Sequence, residues 1–245
     1  MEHESAMSLL DRAICVFGLA FDSRRLRDGA ITLLFGVAVL AAAVASKAMA
    51  TSPGVGAGPE APLTGAKEPR VVAELGDDGL HKQSWFLETF LDLKEDFDET
   101  KSRGKRFAIV FEQRGCIYCT KLHTEVLSEK YVNDYVRENF DIIALNLFGD
   151  REVTDFDGAK LSEKRLAERW GIAFTPTVVF FKDNLSGLEG KWGRQLEAVE
   201  RLPLGFGVPT LMDLFSYVRA KIYEKEPSFQ RYHIERMAQR QTLRN

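Results

Sequence analysis

The stretch 106-RFAIVFEQRGCIYC-119 constrains this chain more than any other. An apolar run of strand length, 106-RFAIVFEQ-113, leads into two cysteines spaced by two residues. There the spacing turns helical, through 116-CIYCTKLHTEVL-127. A cysteine in the first turn of a helix meets unsatisfied N–H groups and the positive end of the macrodipole, and both favour thiolate. Cys116 takes that place, with Cys119 one turn further on. At i, i+3 the pair shares a face, so a disulfide can close without unfolding the helix. Cys116 can then attack a substrate disulfide and Cys119 can resolve the mixed disulfide. Ile117 and Tyr118 fill the intervening positions and tune the pair, and Arg114 adds positive field.

Other chemistries compete for the same residues. A c-type haem site needs His directly after the second cysteine, where Thr120 stands. A metal site could use Cys116, Cys119 and His123, since 119 and 123 share a helical face. It would need a fourth ligand from distant His81 or His233. A structural staple would close a very short loop and gain little from it. Cys15 is the only other cysteine and lies near the N-terminus, so the chain is no disulfide-dense scaffold. Redox exchange is the reading the pair supports best, with no cofactor and no resident metal expected.

Around the pair the pattern reads α-β-α-β-α-β-β-α. Residues 84–104 carry Phe86, Leu87, Phe90, Leu93 and Phe97 at helical spacing, with Gly104 as the stop. A second amphipathic piece runs over 129–140, a strand over 141–147 and a polar loop over 148–160. A helix over 161–171 ends at glycine, and a strand runs over 177–182. An extended turn covers 183–195, a weaker strand 196–204, and a helix opening with Pro209 spans 209–225. The crossover units imply a mainly parallel sheet with an antiparallel edge.

The flanks read differently. Residues 29–46 are uncharged and largely apolar, preceded by 23-SRRLR-27 and followed by 48-AMA-50. That is the order of a secretory signal peptide over 1–50, with an uncleaved membrane anchor as the alternative. Either way the remainder faces outside the cytoplasm, and a periplasmic location is expected. Residues 51–80, rich in Gly, Pro and Ala, read as a flexible linker. Residues 227–245 read as a polar, basic tail with residual helix, leaving a domain over 81–226. The formal net charge is −3, without a basic patch interleaved with aromatics, so nucleic acid is not an expected partner.

In 174-FTPTVVFF-181 a proline stands at the entry of an apolar strand. As a loop residue it would merely end the preceding turn; as a cis-proline facing the dithiol it would let Thr175 present backbone to a substrate chain. A strand, a Cys-X-X-Cys helix start and a Thr-Pro before a later strand together resemble the thioredoxin superfamily. The stretches 111-FEQRGCIYC-119, 137-RENFDIIALNLFGDREVTDFDG-158, 161-LSEKRLAERWGIAFTPTVVFF-181 and 228-SFQRY-232 are similar to the periplasmic thioredoxin-like proteins of the bacterial sulfur-oxidation (Sox) system.

The resemblance implies a thioredoxin fold, with a central mixed sheet of about four strands flanked by helices and an extra N-terminal helix. It implies a thiol–disulfide oxidoreductase with Cys116 as nucleophile, Cys119 as resolving thiol and Pro176 as cis-proline. It also implies a membrane thiol–disulfide electron donor and reducible periplasmic sulfur-oxidation proteins as partners. No dimerisation domain is obvious in the sequence, and a monomer is expected. The sequence departs from ordinary thioredoxin: Gly115 replaces the tryptophan before the first cysteine, Ile117-Tyr118 replaces Gly-Pro, and Val110 stands where a buried aspartate is usual. Period-2 alternation puts Glu112 on the same strand face as Val110. Glu112 is thus a candidate for the proton handling of Cys119, or alternatively a solvated strand end. The expected direction of exchange is reductive, with disulfide isomerisation or oxidation, and metal chaperoning through Cys116, Cys119 and His123, as alternatives.

Overall fold

The structure, a computed structural model, describes residues 55–185, 189–196, 202–203 and 207–244. Residues 1–50, for which a signal peptide is expected and which include Cys15, lie outside the described residues. No helix among the described residues is long and apolar enough to cross a membrane.

A short antiparallel hairpin comes first, β1 (Glu74–Leu75) and β2 (His81–Lys82). Helix α1 (Leu93–Ser102) and strand β3 (Arg106–Glu112) follow. Helix α2 (Ile117–Lys121) continues as a π-helical turn over Leu122–Val126, and α3 (Lys130–Asn139) leads into β4 (Phe140–Asn146). Then come the hairpin strands β5 (Glu152–Thr154) and β6 (Lys160–Ser162), helix α4 (Glu163–Trp170) and strand β7 (Thr177–Phe180). A short helix α5 (Gly193–Leu196), strand β8 (Leu202–Pro203), and helices α6 (Val208–Arg219) and α7 (Phe229–Thr242) complete the order.

The main sheet has the order β4-β3-β7-β8. β3 runs parallel to β4 but antiparallel to β7, and β7 antiparallel to β8, so the sheet is mixed as expected but mainly antiparallel rather than mainly parallel: only β3–α3–β4 is a crossover unit, and the chain enters β7 at the end where it leaves β3. Every residue of β3 is buried, which is why its sequence is nearly continuously apolar. Its side chains alternate between two core layers. Phe107, Ile109 and Phe111 face Leu93 and Phe97 of α1 and Leu166 and Trp170 of α4. Ala108 and Val110 face Leu122 and Val126 of the π-turn, Val132 and Val136 of α3, and Leu211, Leu214 and Phe215 of α6. Two-sided packing makes β3 the rigid base from which the cysteine loop departs.

Several expectations are corrected. The first helix starts at Leu93, nine residues later than the spacing of 84–104 suggests. Asp92 caps it by accepting from the Lys94 and Glu95 N–H groups, and Leu91 sits at φ 59°, off any helical path. The preceding stretch is tied to the sheet instead, the Leu87 N–H donating to Ile142 O at 2.8 Å. The polar loop 148–160 carries β5 and the turn of the β5–β6 hairpin, whose second strand runs on to Ser162. Of the weak strand over 196–204, Leu202–Pro203 pairs with β7, while Leu196 closes α5.

The two flanks of the domain differ most from expectation. The tail forms the 14-residue helix α7 packed on α6. The stretch after residue 54 is largely irregular but lies strapped to the domain. Ala61 N–H donates to Ser216 Oγ at 2.9 Å, Tyr135 Oη–H to Pro59 O at 2.9 Å, and Val71 N–H to Ser128 O at 2.8 Å. Backbone donors and acceptors so engaged hold a segment that has little core of its own.

Candidate active site

The site follows from strand pairing. Phe111 pairs with Thr177 across the antiparallel β3–β7 ladder, so the chain leaving β3 and the chain entering β7 meet at one end of the sheet. The first carries Cys116 and Cys119; the second carries Thr175 and Pro176. Gly115 sits at φ 72°, a left-handed turn that costs glycine nothing and lets the loop swing from strand to helix.

Cys116 and Cys119 are joined by a disulfide, with Cα atoms 5.2 Å apart. Cys116 is the N-cap of α2 rather than its first residue, and the Cys119 N–H donates to its Sγ at 3.0 Å. A helix-end N–H aimed at sulfur is the interaction that favours a thiolate once the bond is reduced. Cys116 is 8% exposed and Cys119 3% exposed, so Cys116 is the more open of the two sulfurs.

The Thr175–Pro176 peptide bond is cis, and both residues are buried. Thr175 Oγ1–H donates to Cys116 Sγ at 3.4 Å, and Thr175 O lies 3.5 Å from the same sulfur. Ile117 and Tyr118 project outward beside the disulfide, 70% and 48% exposed, and Phe174 adds a third exposed apolar side chain. Arg114 donates to the carbonyls of Asp77 and Asp78 in the hairpin turn, at 3.3 Å each.

Glu112 is fully buried, which removes the solvated reading of this residue. His123 Nε2 lies 2.8 Å from its Oε1, and Gln83 Nε2 lies 3.3 Å from His123 Nδ1. With both ring nitrogens engaged, His123 does not join the cysteines as a metal ligand. Among the described residues no group of three or more His, Cys, Asp or Glu is placed to hold a metal ion. Helical spacing from Cys119 flagged His123 in the sequence, but Gln83 carried no signal there: it lies 40 residues from His123 and is brought in by the segment before α1.

Residues 93–190, less than half of the chain, match the family model described as thioredoxin-like domain. No curated protein matches. Among solved structures, a thioredoxin-fold protein from Helicobacter pylori is 19% identical, covering 57% of this chain and 86% of its own, with a TM-score of 0.46. A thioredoxin from Thermus thermophilus is 22% identical over 55% of this chain and 80% of its own, with a TM-score of 0.33. The C-terminal domain of Neisseria meningitidis DsbD is 16% identical over 52% of this chain and 94% of its own, with a TM-score of 0.36. The domain has the thioredoxin fold, and its Cys116–Cys119 disulfide within a thioredoxin-like match supports thiol–disulfide oxidoreductase activity.

Proposed function

We propose that this thioredoxin-fold chain is a periplasmic thiol–disulfide oxidoreductase that reduces disulfides of dedicated partner proteins. Cys116 is the nucleophile: it forms the mixed disulfide and the substrate's second sulfur leaves. Cys119 then attacks Cys116 Sγ and releases the substrate as a dithiol, two electrons having passed from the protein to the substrate. The observation that carries this reading is the capping geometry of Cys116, whose sulfur receives the Cys119 N–H while Thr175 lies against it.

Thr175 and Pro176 supply the backbone edge along which a substrate strand lies, and exposed Ile117 and Tyr118 meet it on the other side. Glu112 is the buried carboxylate closest in sequence to the pair, and it handles the proton of Cys119. An oxidising compartment requires that the dithiol be replenished, so a membrane thiol–disulfide donor is the upstream partner. The resemblance to sulfur-oxidation proteins supports reducible proteins of that system as substrates. The leader supports export.

The test is the reduction potential of Cys116–Cys119 in the full chain, by equilibration in defined thiol buffers. A value near about −270 mV agrees with a reductase fed from the membrane, and one near about −120 mV makes the protein a disulfide donor. A pair well below about −300 mV and inert to exchange would be a structural staple and would end the enzymatic reading.

A further inference from the structure

On the α2 side of β3 runs a buried hydrogen-bond chain whose direction can be read from one end. Asn133 Nδ2 lies 2.9 Å from Leu127 O, a backbone carbonyl that only accepts. The amide NH2 of Asn133 must therefore face it, and the same nitrogen donates to Gln83 Oε1 at 3.3 Å. That orients Gln83, so its NH2 donates to His123 Nδ1 at 3.3 Å. An Nδ1 that accepts leaves the proton of the neutral ring on Nε2, which donates to Glu112 Oε1 at 2.8 Å. Gln83, Asn133, His123 and Glu112 are each 2% exposed or less.

The chain ends on an incomplete group. Among the described residues no group donates to Glu112 Oε2, although the carboxyl is fully buried. A buried carboxylate oxygen without a donor is costly, and such a group calls for an explanation. Three features place it on the side of the sheet that carries the resolving cysteine. Glu112 lies on the β3 face that packs against the α2 side, by alternation from Ala108 and Val110. His123, which holds its other oxygen, is one helical turn beyond Cys119. It sits in the π-turn, a helix irregularity that recurs at functional sites.

We propose that Gln83, Asn133 and His123 are positioning residues that hold Glu112 as the proton acceptor for Cys119 through this one-way hydrogen-bond chain. The inference rests on the disulfide-exchange reading and assigns residues to its second half. With Cys116 in a mixed disulfide, the Cys119 thiol gives its proton to Glu112 Oε2. The Cys119 sulfur attacks Cys116 Sγ, the bond from Cys116 to the substrate sulfur breaks, and the substrate leaves as thiolate. The proton on Glu112 then passes to the departing thiolate or to water, and charge and electrons balance. The His123 Nε2–H keeps Oε1 satisfied so that Oε2 alone is the base. His81 of β2 also faces the dyad, stacked on His123 with centroids 5.6 Å apart.

The two halves can be read separately in the reduced full chain carrying Cys15→Ser. Dithiobis(nitrobenzoate) reacts with Cys116 and releases one thionitrobenzoate; attack by Cys119 on the resulting mixed disulfide releases a second. In His123→Leu and in Gln83→Leu, first release should stay within about twofold of the parent and second release should slow about tenfold or more, as for loss of a positioned base. The pH profile of the second release should move in both variants and in Glu112→Gln, but not in the control His81→Gln. Gln83→Leu leaves the Glu112–His123 pair in place, so it decides the matter should His123→Leu fail to fold. Unchanged second release and pH profile in Gln83→Leu overturn the proposal, and so does equal slowing of both releases, which marks a structural role alone. If the parent gives no first release, the exchange reading itself falls.

Discussion

At the scale of single residues, the two cysteines are chemically alike but differently placed. The helix-capping sulfur of Cys116 meets an N–H and the Thr175 hydroxyl, whereas Cys119 is nearly sealed from solvent. Such asymmetry assigns attack to one and resolution to the other. Cys119→Ser should therefore accumulate a mixed disulfide between Cys116 and a thiol-containing partner, visible as a mass adduct lost on reduction. Cys116→Ser should form no such adduct. Trapping through Cys119 in the Cys116→Ser protein instead would reverse the assignment. The cysteines, Ile117, Tyr118 and the Thr175-Pro176 pair were legible as a site because each lies in a short recognisable string. Glu112 was legible only as an alternation argument, since burial, the property that separates the two readings of it, comes from neighbours remote in sequence.

At the scale of elements, α1 carries a cost. Asp96 is buried in its first turns, and its pKa is pushed up to about 6, chiefly by burial, partly offset by the hydrogen bond donated by Thr89 Oγ1 at 3.0 Å. A carboxyl whose folded pKa exceeds its unfolded one favours folding most below the unfolded value, and that contribution is lost as pH rises through the folded value. Between about pH 4 and pH 6 the wild-type helix thus loses stability. Asp96→Asn, which keeps an oxygen for Thr89, should stabilise the domain by about 1 kcal/mol at pH 7.5 and by nothing at pH 4. Urea unfolding at the two pH values checks this, and an equal change at both would rule out ionisation as the cause. The late start of α1 has a similar local reason. Phe86, Leu87 and Phe90 satisfy helical spacing, yet Asp92 caps the helix and Leu91 turns away from it.

At the scale of the whole molecule, the two flanks of the domain are held by one buried carboxylate. Asp213 of α6 is fully buried; Arg236 Nε and Arg240 Nη2 donate to its Oδ1 at 2.5 Å each, and His233 Nδ1 lies 2.7 Å from its Oδ2. Arg236 and Arg240 also donate to the carbonyls of Ala61 and Leu63, so the same cluster fastens α7 and the N-terminal segment together. Burial pushes the Asp213 pKa up, but the hydrogen bonds from Arg240, Arg236 and His233 overcome it and leave it below the usual range. A depressed folded pKa means stability that is present above the unfolded pKa and lost as pH falls through the folded one. Asp213→Ala would leave the buried Arg240 guanidinium without its carboxylate and Arg236 with only the half-exposed Glu60, and should cost about 3–5 kcal/mol. The loss should appear in urea melts at neutral pH and shrink in strong acid. Deleting residues 227–245 should likewise lower the thermal midpoint of the entire domain, because Asp213 would lose its three partners and α6 the helix packed on it; an unchanged midpoint would return this segment to the status of a tail.

What the sequence by itself determined is whatever short-range pattern encodes: the continuous apolar run of β3, the cysteine pair at a helix start, the proline before β7, and the glycine that ends α4. Each is set by hydrophobic period, capping or backbone sterics within a few residues. Only the tertiary structure decided that Glu112 is buried, that Gln83 and His123 meet beside it, and that Ala61 is clasped by Arg236 from the far end of the chain. Those outcomes depend on which remote side chains fill the space around a group, and a polar residue keeps the same letter whether it ends in water or in a closed hydrogen-bond chain.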